Sequence, residues 1–191
     1  MAKRKVLTCL LVFCLGLFLA GCGGLGRPKE FSGENVMRFG SMVQRGQVYF
    51  GGDRWRIEAQ LFGQKTITII RTDKKIMWSL LPDQKTYTEV KLDPKQLVGR
   101  TNRFPGEVGR KKIAYEPVNG YPSDKYLVTF KTAGQDTKAN IFQWISRDNI
   151  AVKTAATDNS WSSEYRDIKI GRQPRELFEI PSGYAKIKTT Q

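Results

Sequence analysis

The sequence predicts a mainly β fold: a single curved antiparallel sheet, rolled into a half-barrel of about ten or eleven strands, with few short helices. Three observations predict it. Short runs rich in β-branched and aromatic residues recur about every ten residues between Phe31 and Ile170, with turn residues between them. Several runs alternate apolar and polar side chains with the period of two that a half-buried strand requires. Past Cys22 there is no further cysteine, so no disulfide forms within that part of the chain, and its fold rests on a hydrophobic core.

The first six strands are expected near residues 31–42, 45–51, 54–62, 65–72, 75–81 and 85–91. Gly51-Gly52-Asp53, Phe62-Gly63-Gln64, Thr72-Asp73-Lys74 and Pro82-Asp83-Gln84 punctuate them, since Gly supplies positive φ and Asp bonds its own backbone. The third strand is the clearest. Trp55, Ile57, Ala59 and Leu61 fall on a dry side, Arg54, Arg56, Glu58 and Gln60 on a wet one. Residues 93–112 break the pattern: Asp93-Pro94 suits a helix start, and the scattered Gly, Pro and basic residues after it allow one or two short helices at most. Strand character resumes at 113–118 and 125–132 around Asn119-Gly120-Tyr121-Pro122. It continues at 139–146, 150–156 and 161–170, with Arg147-Asp148-Asn149 and Thr157-Asp158-Asn159-Ser160 as turns. Pro174 to Phe178 reads as a last helical turn. So many strands rarely stay flat; they curl or split into two layers.

Ahead of the strands, Lys3, Arg4 and Lys5 precede an apolar run from Val6 to Leu19, the layout of a secretory signal. At about 14 residues the run is short of the roughly 20 that cross a bilayer as a permanent helix. Leu19-Ala20-Gly21-Cys22 resembles the lipobox of bacterial lipoproteins, a branched residue and two small ones before a thiol. The resemblance implies removal of residues 1–21 as a lipoprotein signal peptide and lipidation of Cys22 with acyl chains such as palmitate. Two or three such chains anchor firmly where one holds only marginally. Residues 22–30, Gly- and Pro-rich, are expected to form a lipidated flexible tether, and residues 31–191 the β domain. Gly23, rather than Asp, after the acylated position implies an outer-membrane lipid anchor, with the domain facing the periplasm.

The chain carries 32 Lys and Arg against 18 Asp and Glu, a net charge of +14. Without the three cations of the signal, 29 oppose 18, a net +11. Beyond a secretion signal the abundant polyanions are lipid head groups, so the expected partner is a membrane surface and not nucleic acid.

The order of features resembles the Lol-type fold shared by periplasmic lipoprotein carriers and outer-membrane lipoprotein receptors, and the lipoprotein families allied to it. Gly51-Gly52-Asp53-Arg54-Trp55-Arg56, the run from Ile67 to Asp73 and the run from Met77 to Tyr87 carry the resemblance. So does the closing Leu177-Phe178-Glu179-Ile180-Pro181-Ser182-Gly183-Tyr184, similar to a terminal F-x-x-P-x-G-Y. The resemblance implies a curved sheet around helices whose apolar concavity takes up acyl chains. Carriers place a long helix before the first strand; here about nine residues separate Cys22 from Phe31.

Catalytic signals are missing. There is no His, and no G-x-S-x-G, S-x-x-K or P-loop pattern, while Asp53, Asp83, Asp148, Asp158 and Asp167 fall at turns. No enzyme activity, cofactor or metal ligand is expected. The candidate apolar lining is Trp55, Ile57, Ile67, Ile69, Trp78, Leu80, Tyr87, Phe142 and Trp144. Two readings fit these nine. They fill the core by themselves, as close packing does by default, or they line a hollow that a lipid tail completes. At the level of function, one reading is an envelope lipoprotein that binds a lipid or acyl-chain ligand, in lipoprotein or lipid traffic. The other is a scaffolding lipoprotein that docks an envelope protein partner through a sheet edge or the basic segment 95–112.

Overall fold

The computed structural model describes residues 26–61, 63–92, 102–104, 106–131 and 137–187. The expected signal peptide, Cys22 and the first part of the tether lie outside them, as do residues 93–101 and 105 of the segment expected to hold short helices. Twelve strands form one unclosed, curved sheet, as the sequence predicts in kind. In chain order they are β1 (Phe31–Phe39), β2 (Met42–Phe50), β3 (Arg54–Leu61), β4 (Gln64–Arg71), β5 (Ile76–Leu81) and β6 (Thr86–Lys91). Then follow β7 (Glu107–Val118), β8 (Tyr121–Lys131), β9 (Lys138–Ser146), β10 (Ala151–Ala156), β11 (Trp161–Ile170) and β12 (Ala185–Lys186).

The spatial order is β12-β6-β5-β4-β3-β2-β1-β11-β10-β9-β8-β7. Two meanders, β1 to β6 and β7 to β11, are joined because β1 pairs with both β2 and β11. The pairing of β1 with β11 runs from Phe31 opposite Ile170 to Phe39 opposite Trp161.

Local sequence explains most boundaries. Asn119, Asn149 and Asn159 turn the chain with φ of 50°, 59° and 60°, a left-handed conformation that Asn tolerates. At one such turn the Asp158 carboxylate accepts bonds from the Ser160 N–H and hydroxyl at 3.0 and 2.7 Å. Several boundaries differ from the sequence reading: β8 starts at Tyr121, within the expected turn and four residues before the expected strand 125–132, and β12 was not expected. The expected strand 31–42 is divided at Gly40, whose φ of +55° starts the turn into β2. Residues 107–112, assigned to the helix-bearing break, belong to β7. That strand carries two bulges, between Glu107 and Gly109 and between Lys112 and Ala114, and each shifts the alternation by one residue.

Directly paired residues share a face of the sheet. Trp55 pairs with Ile70 and Phe50, and Ile57 with Val48 and Thr68, which defines a first face. Arg56 pairs with Ile69 and Ile69 with Trp78, while Ile67 pairs with Leu80 and Leu80 with Tyr87, which defines the second. Phe31, Val48, Phe50, Trp55 and Ile70 of the first face belong to one buried cluster with Val118, Trp144, Ile150, Val152, Ala155 and Tyr165. Residues 26–30 run against the domain on that side of the chain: the Lys29 N–H donates to the Asp148 carbonyl at 3.1 Å, and the Asn102 amide donates to the Gly26 carbonyl at 2.6 Å. Over β4 and β5 the second face is covered by the 3-10 turn Arg175–Phe178, and the chain then joins the sheet edge as β12 beside β6.

Candidate functional site

The nine candidate lining residues do not form one surface. Trp55 belongs to the first-face cluster with Trp144, and Ile57 and Phe142 pack against it. Ile67, Ile69, Trp78 and Leu80 form the second-face cluster with Phe178, and Tyr87 packs against that one. The sheet separates Trp55 and Ile57 from the second group.

Within the first cluster the aromatic rings are in contact. Phe50 and Trp55 lie 4.7 Å apart between centroids, Phe31 and Phe50 5.6 Å, and Phe31 and Tyr165 5.2 Å. Pairs at these separations contribute about 0.5–1.5 kcal/mol each beyond the burial of their area. Among the described residues, the apolar space left between Phe31, Phe50, Ile150 and Tyr165 is about 10 Å³. A larger depression of about 310 Å³ lies elsewhere, open to solvent and lined mostly by polar side chains, among them Glu34, Arg45, Gln47, Glu58 and Lys65. Its charges are matched: Arg45 meets Glu34, and Lys65 meets Glu58, each at 3.0 Å.

Two of the three candidate tryptophans have their indole N–H bound in a similar way. Trp78 donates to Glu89 at 2.8 Å, and the Lys186 ammonium sits 2.7 Å from the same carboxylate. Trp144 donates to Glu116, which also meets the Lys125 ammonium at 3.0 Å. Hydrogen bonds from the lysine first, and then from the indole, hold both glutamates below the usual carboxylate range. Lys125 stands over the rings of Phe142 and Trp144 at 4.8 and 4.7 Å, and Lys153 over Trp144 at 5.0 Å. Trp144 is thereby tied to its neighbours by bonds and cations.

The sequence reading placed Arg56 on a wet face, whereas it is 9% exposed. Its guanidinium donates to the Leu177 carbonyl at 3.0 Å and meets Glu58 at 2.7 Å. Arg71, also buried, donates to the Phe178 carbonyl at 3.2 Å and to Asp73 at 2.6 Å, and pairs with Glu179. The two arginines therefore grip the carbonyls of the C-terminal turn, while Phe178 itself is fully buried. Hydrogen bonding to Asp73 raises the Arg71 guanidinium above its usual value and outweighs its burial. Burial pushes the Glu179 carboxyl up, but hydrogen bonds from Arg71 and Lys74 bring it below its ordinary value. None of these residues was a candidate; Phe178 stood in the sequence as the end of the expected last helical turn and as part of the closing F-x-x-P-x-G-Y. Among the described residues, no group of three or more His, Cys, Asp or Glu is arranged to hold a metal ion.

No curated protein matches the chain. Among solved structures, the fold is similar to that of an uncharacterized conserved protein from Thermus thermophilus, at 12% identity over 84% of this chain and 90% of that one, with a TM-score of 0.58. It is also similar to MucB in complex with MucA(peri), at 13% identity over 82% of this chain and 56% of that one, with a TM-score of 0.51. The complex structure of Pseudomonas aeruginosa MucA/MucB gives 14% identity over 82% and 57%, with a TM-score of 0.50. The chain thus spans a little over half the length of MucB. At these identities the likeness is one of fold, and the helix-poor curved sheet is consistent with the Lol type. The model of one family, described as Domain of unknown function (DUF4412), matches residues 34–156, from within β1 to the end of β10 and more than half of the chain, and the chain belongs to that family.

Proposed function

We propose that this chain is a non-enzymatic lipoprotein of the bacterial cell envelope, anchored through Cys22 at the outer membrane, whose curved sheet docks a protein partner. The observation that carries the docking reading is the close packing of the aromatic cluster. An acyl chain or other lipid ligand needs a hollow of roughly 300 Å³ or more, and the space between Phe31, Phe50, Ile150 and Tyr165 is about 10 Å³. The sheet's exposed edges and turns carry apolar side chains instead, with Phe39, Met42, Val43, Val108, Ile113 and Tyr115 each at least 44% exposed. Similarity in fold to MucB, one of whose structures is a complex with MucA(peri), supports the reading by analogy. The lipobox-like Leu19-Ala20-Gly21-Cys22 supports the anchor, and Gly23 the outer membrane.

Crosslinking of the full chain in its own cells tests the proposal. One protein partner in stoichiometric yield is the expected result, together with palmitate labelling that Cys22→Ser abolishes. Recovery of a tightly held lipid in molar yield, with no protein adduct, would replace docking by the lipid-ligand reading and would require the first-face cluster to open.

A further inference from the structure

The geometry points to the outer side of β7 as the place where the partner adds a strand: a short extended segment with acidic residues flanked by apolar ones. This inference rests on the partner-docking reading and gives it a surface. Among the described residues β7 is the last strand in the sheet order, and none of them forms a strand beside its outer N–H and C=O groups.

At each bulge β7 advances two residues while β8 advances one, and the inserted residues are Val108 and Ile113. Neither has a directly opposed partner on β8, and their side chains are 51% and 44% exposed. Tyr115 follows at 59%. Bulges and charges on an edge strand ordinarily guard it against chance pairing. Here each bulge inserts a β-branched apolar side chain and leaves it in water, which is unfavourable unless something covers it.

Between the bulges lie Gly109, Arg110, Lys111 and Lys112. Gly109 is the second observation. Its φ is not positive, and a Cβ added there would meet nothing nearer than the Thr129 Cβ at 3.9 Å. Among the described residues no close contact asks for glycine at this position; it belongs to the first bulge, and its missing side chain leaves room for another backbone to approach.

Charge selects the occupant. Arg110 is drawn inward, donating to Glu107, the Asn102 carbonyl and Gln143. Lys112 is shared with Asp124 at 2.7 Å. Lys111 is exposed and has no carboxylate partner among the described residues. It asks for an acidic side chain from the incoming segment. A second copy of this chain fits poorly, because antiparallel pairing of two β7 strands would set these lysines against each other.

The test uses the full-length protein and two short synthetic peptides, one alternating Glu and Val, the other Lys and Val. The Glu/Val peptide should slow amide exchange at Gly109–Lys112 by about tenfold or more, and Lys111→Glu and Ile113→Asp should each weaken its binding by about tenfold. Both substitutions are at exposed side chains, and circular dichroism verifies that each variant is folded. Equal binding of the two peptides, protection elsewhere but not at Gly109–Lys112, or dimerisation of the chain through β7 would overturn the inference. In cells, a photoreactive residue at position 113 should capture the same partner that general crosslinking finds. Capture from position 39 but not from 113 would sink the β7 inference and leave partner docking standing. No protein adduct from any surface position would remove both.

Discussion

Replacing Phe178 by alanine should unfasten the second face of the sheet. The side chain is fully buried among Ile67, Ile69, Trp78 and Leu80, and the Arg54 guanidinium stands 5.1 Å from its ring centroid. Removing a buried ring forfeits about 1.5–3 kcal/mol of transfer free energy. The cavity left behind adds more, which brings Phe→Ala substitutions to about 3–5 kcal/mol. The 3-10 turn lies at the surface and can partly collapse into the gap, so the lower half of that range is expected. For a chain of this size it corresponds to a fall in melting temperature of roughly 6–16 °C. Urea denaturation followed by tryptophan fluorescence measures the loss directly. The Ala185 and Ile187 N–H groups, bonded to the Lys85 and Tyr87 carbonyls at 2.9 Å each, should exchange faster than other sheet amides because β12 follows the turn. A loss under about 1 kcal/mol, with those two amides unchanged, would refute the idea that Phe178 pins the C-terminal segment.

Further outcomes follow from close contacts and charges. Gly51→Ala places a Cβ 2.9 and 3.0 Å from two atoms of the Phe178 ring, and should destabilise by about 1–3 kcal/mol in chemical denaturation. The loss should shrink when Phe178 is leucine, since the two positions are coupled. Gly46→Ala drives a Cβ into the Glu58 carbonyl oxygen. Backbone has to move there, so β2 and β3 should separate locally, which amide exchange at Gly46–Val48 would reveal. On acidification, Glu58, Glu107 and Glu164 behave alike. Burial pushes each carboxyl up, and arginine hydrogen bonds outweigh it and leave the group below its ordinary 4.5. A depressed folded value contributes stability that is complete above 4.5 and lost as pH falls through the folded values. Urea midpoints should therefore hold steady down to about pH 5 and then drop, and Glu164→Gln should make the acid limb shallower; a midpoint rising with acid would contradict the ion pairs.

The strands were legible because their signals are local. The alternation of Trp55, Ile57 and Ala59 against Arg54, Arg56 and Glu58 marks β3 without reference to any neighbour. Which face each set joins is not local. The hairpin between β3 and β4 sets odd-numbered residues of one strand opposite even-numbered residues of the next, so Trp55 shares a face with Ile70 and not with Ile69. Grouping Trp55 with Ile69 by apolar character alone merged two surfaces into one. The same limit hid Arg56: period two identifies the side opposite Trp55, but the C-terminal segment that dries that side comes from more than a hundred residues later. β7 was read six residues short because its bulges shift the alternation twice, and a shifted period reads as none.

A strongly curved sheet with little helix has two faces to cover, and here the chain uses its own ends. Residues 26–30 lie along the domain, and residues 175–187 fasten down the second face through Phe178, Arg56, Arg71 and β12. Among the described residues, what stays uncovered is the rim. β1 runs from Phe31, next to residues 26–30, to Phe39, about 26 Å away at some 3.3 Å per residue. Tracing the antiparallel pairings from β1 through β11 to β7 puts Val108 at the same end as Phe39 and Met42, while Asn149, against which Gly26 stands, is at the other. If the proposed Cys22 anchor is present, the chain enters the described sheet at residue 26 near one end, and the bulged half of β7 lies at the other, where the proposed strand would displace neither residues 26–30 nor the C-terminal turn.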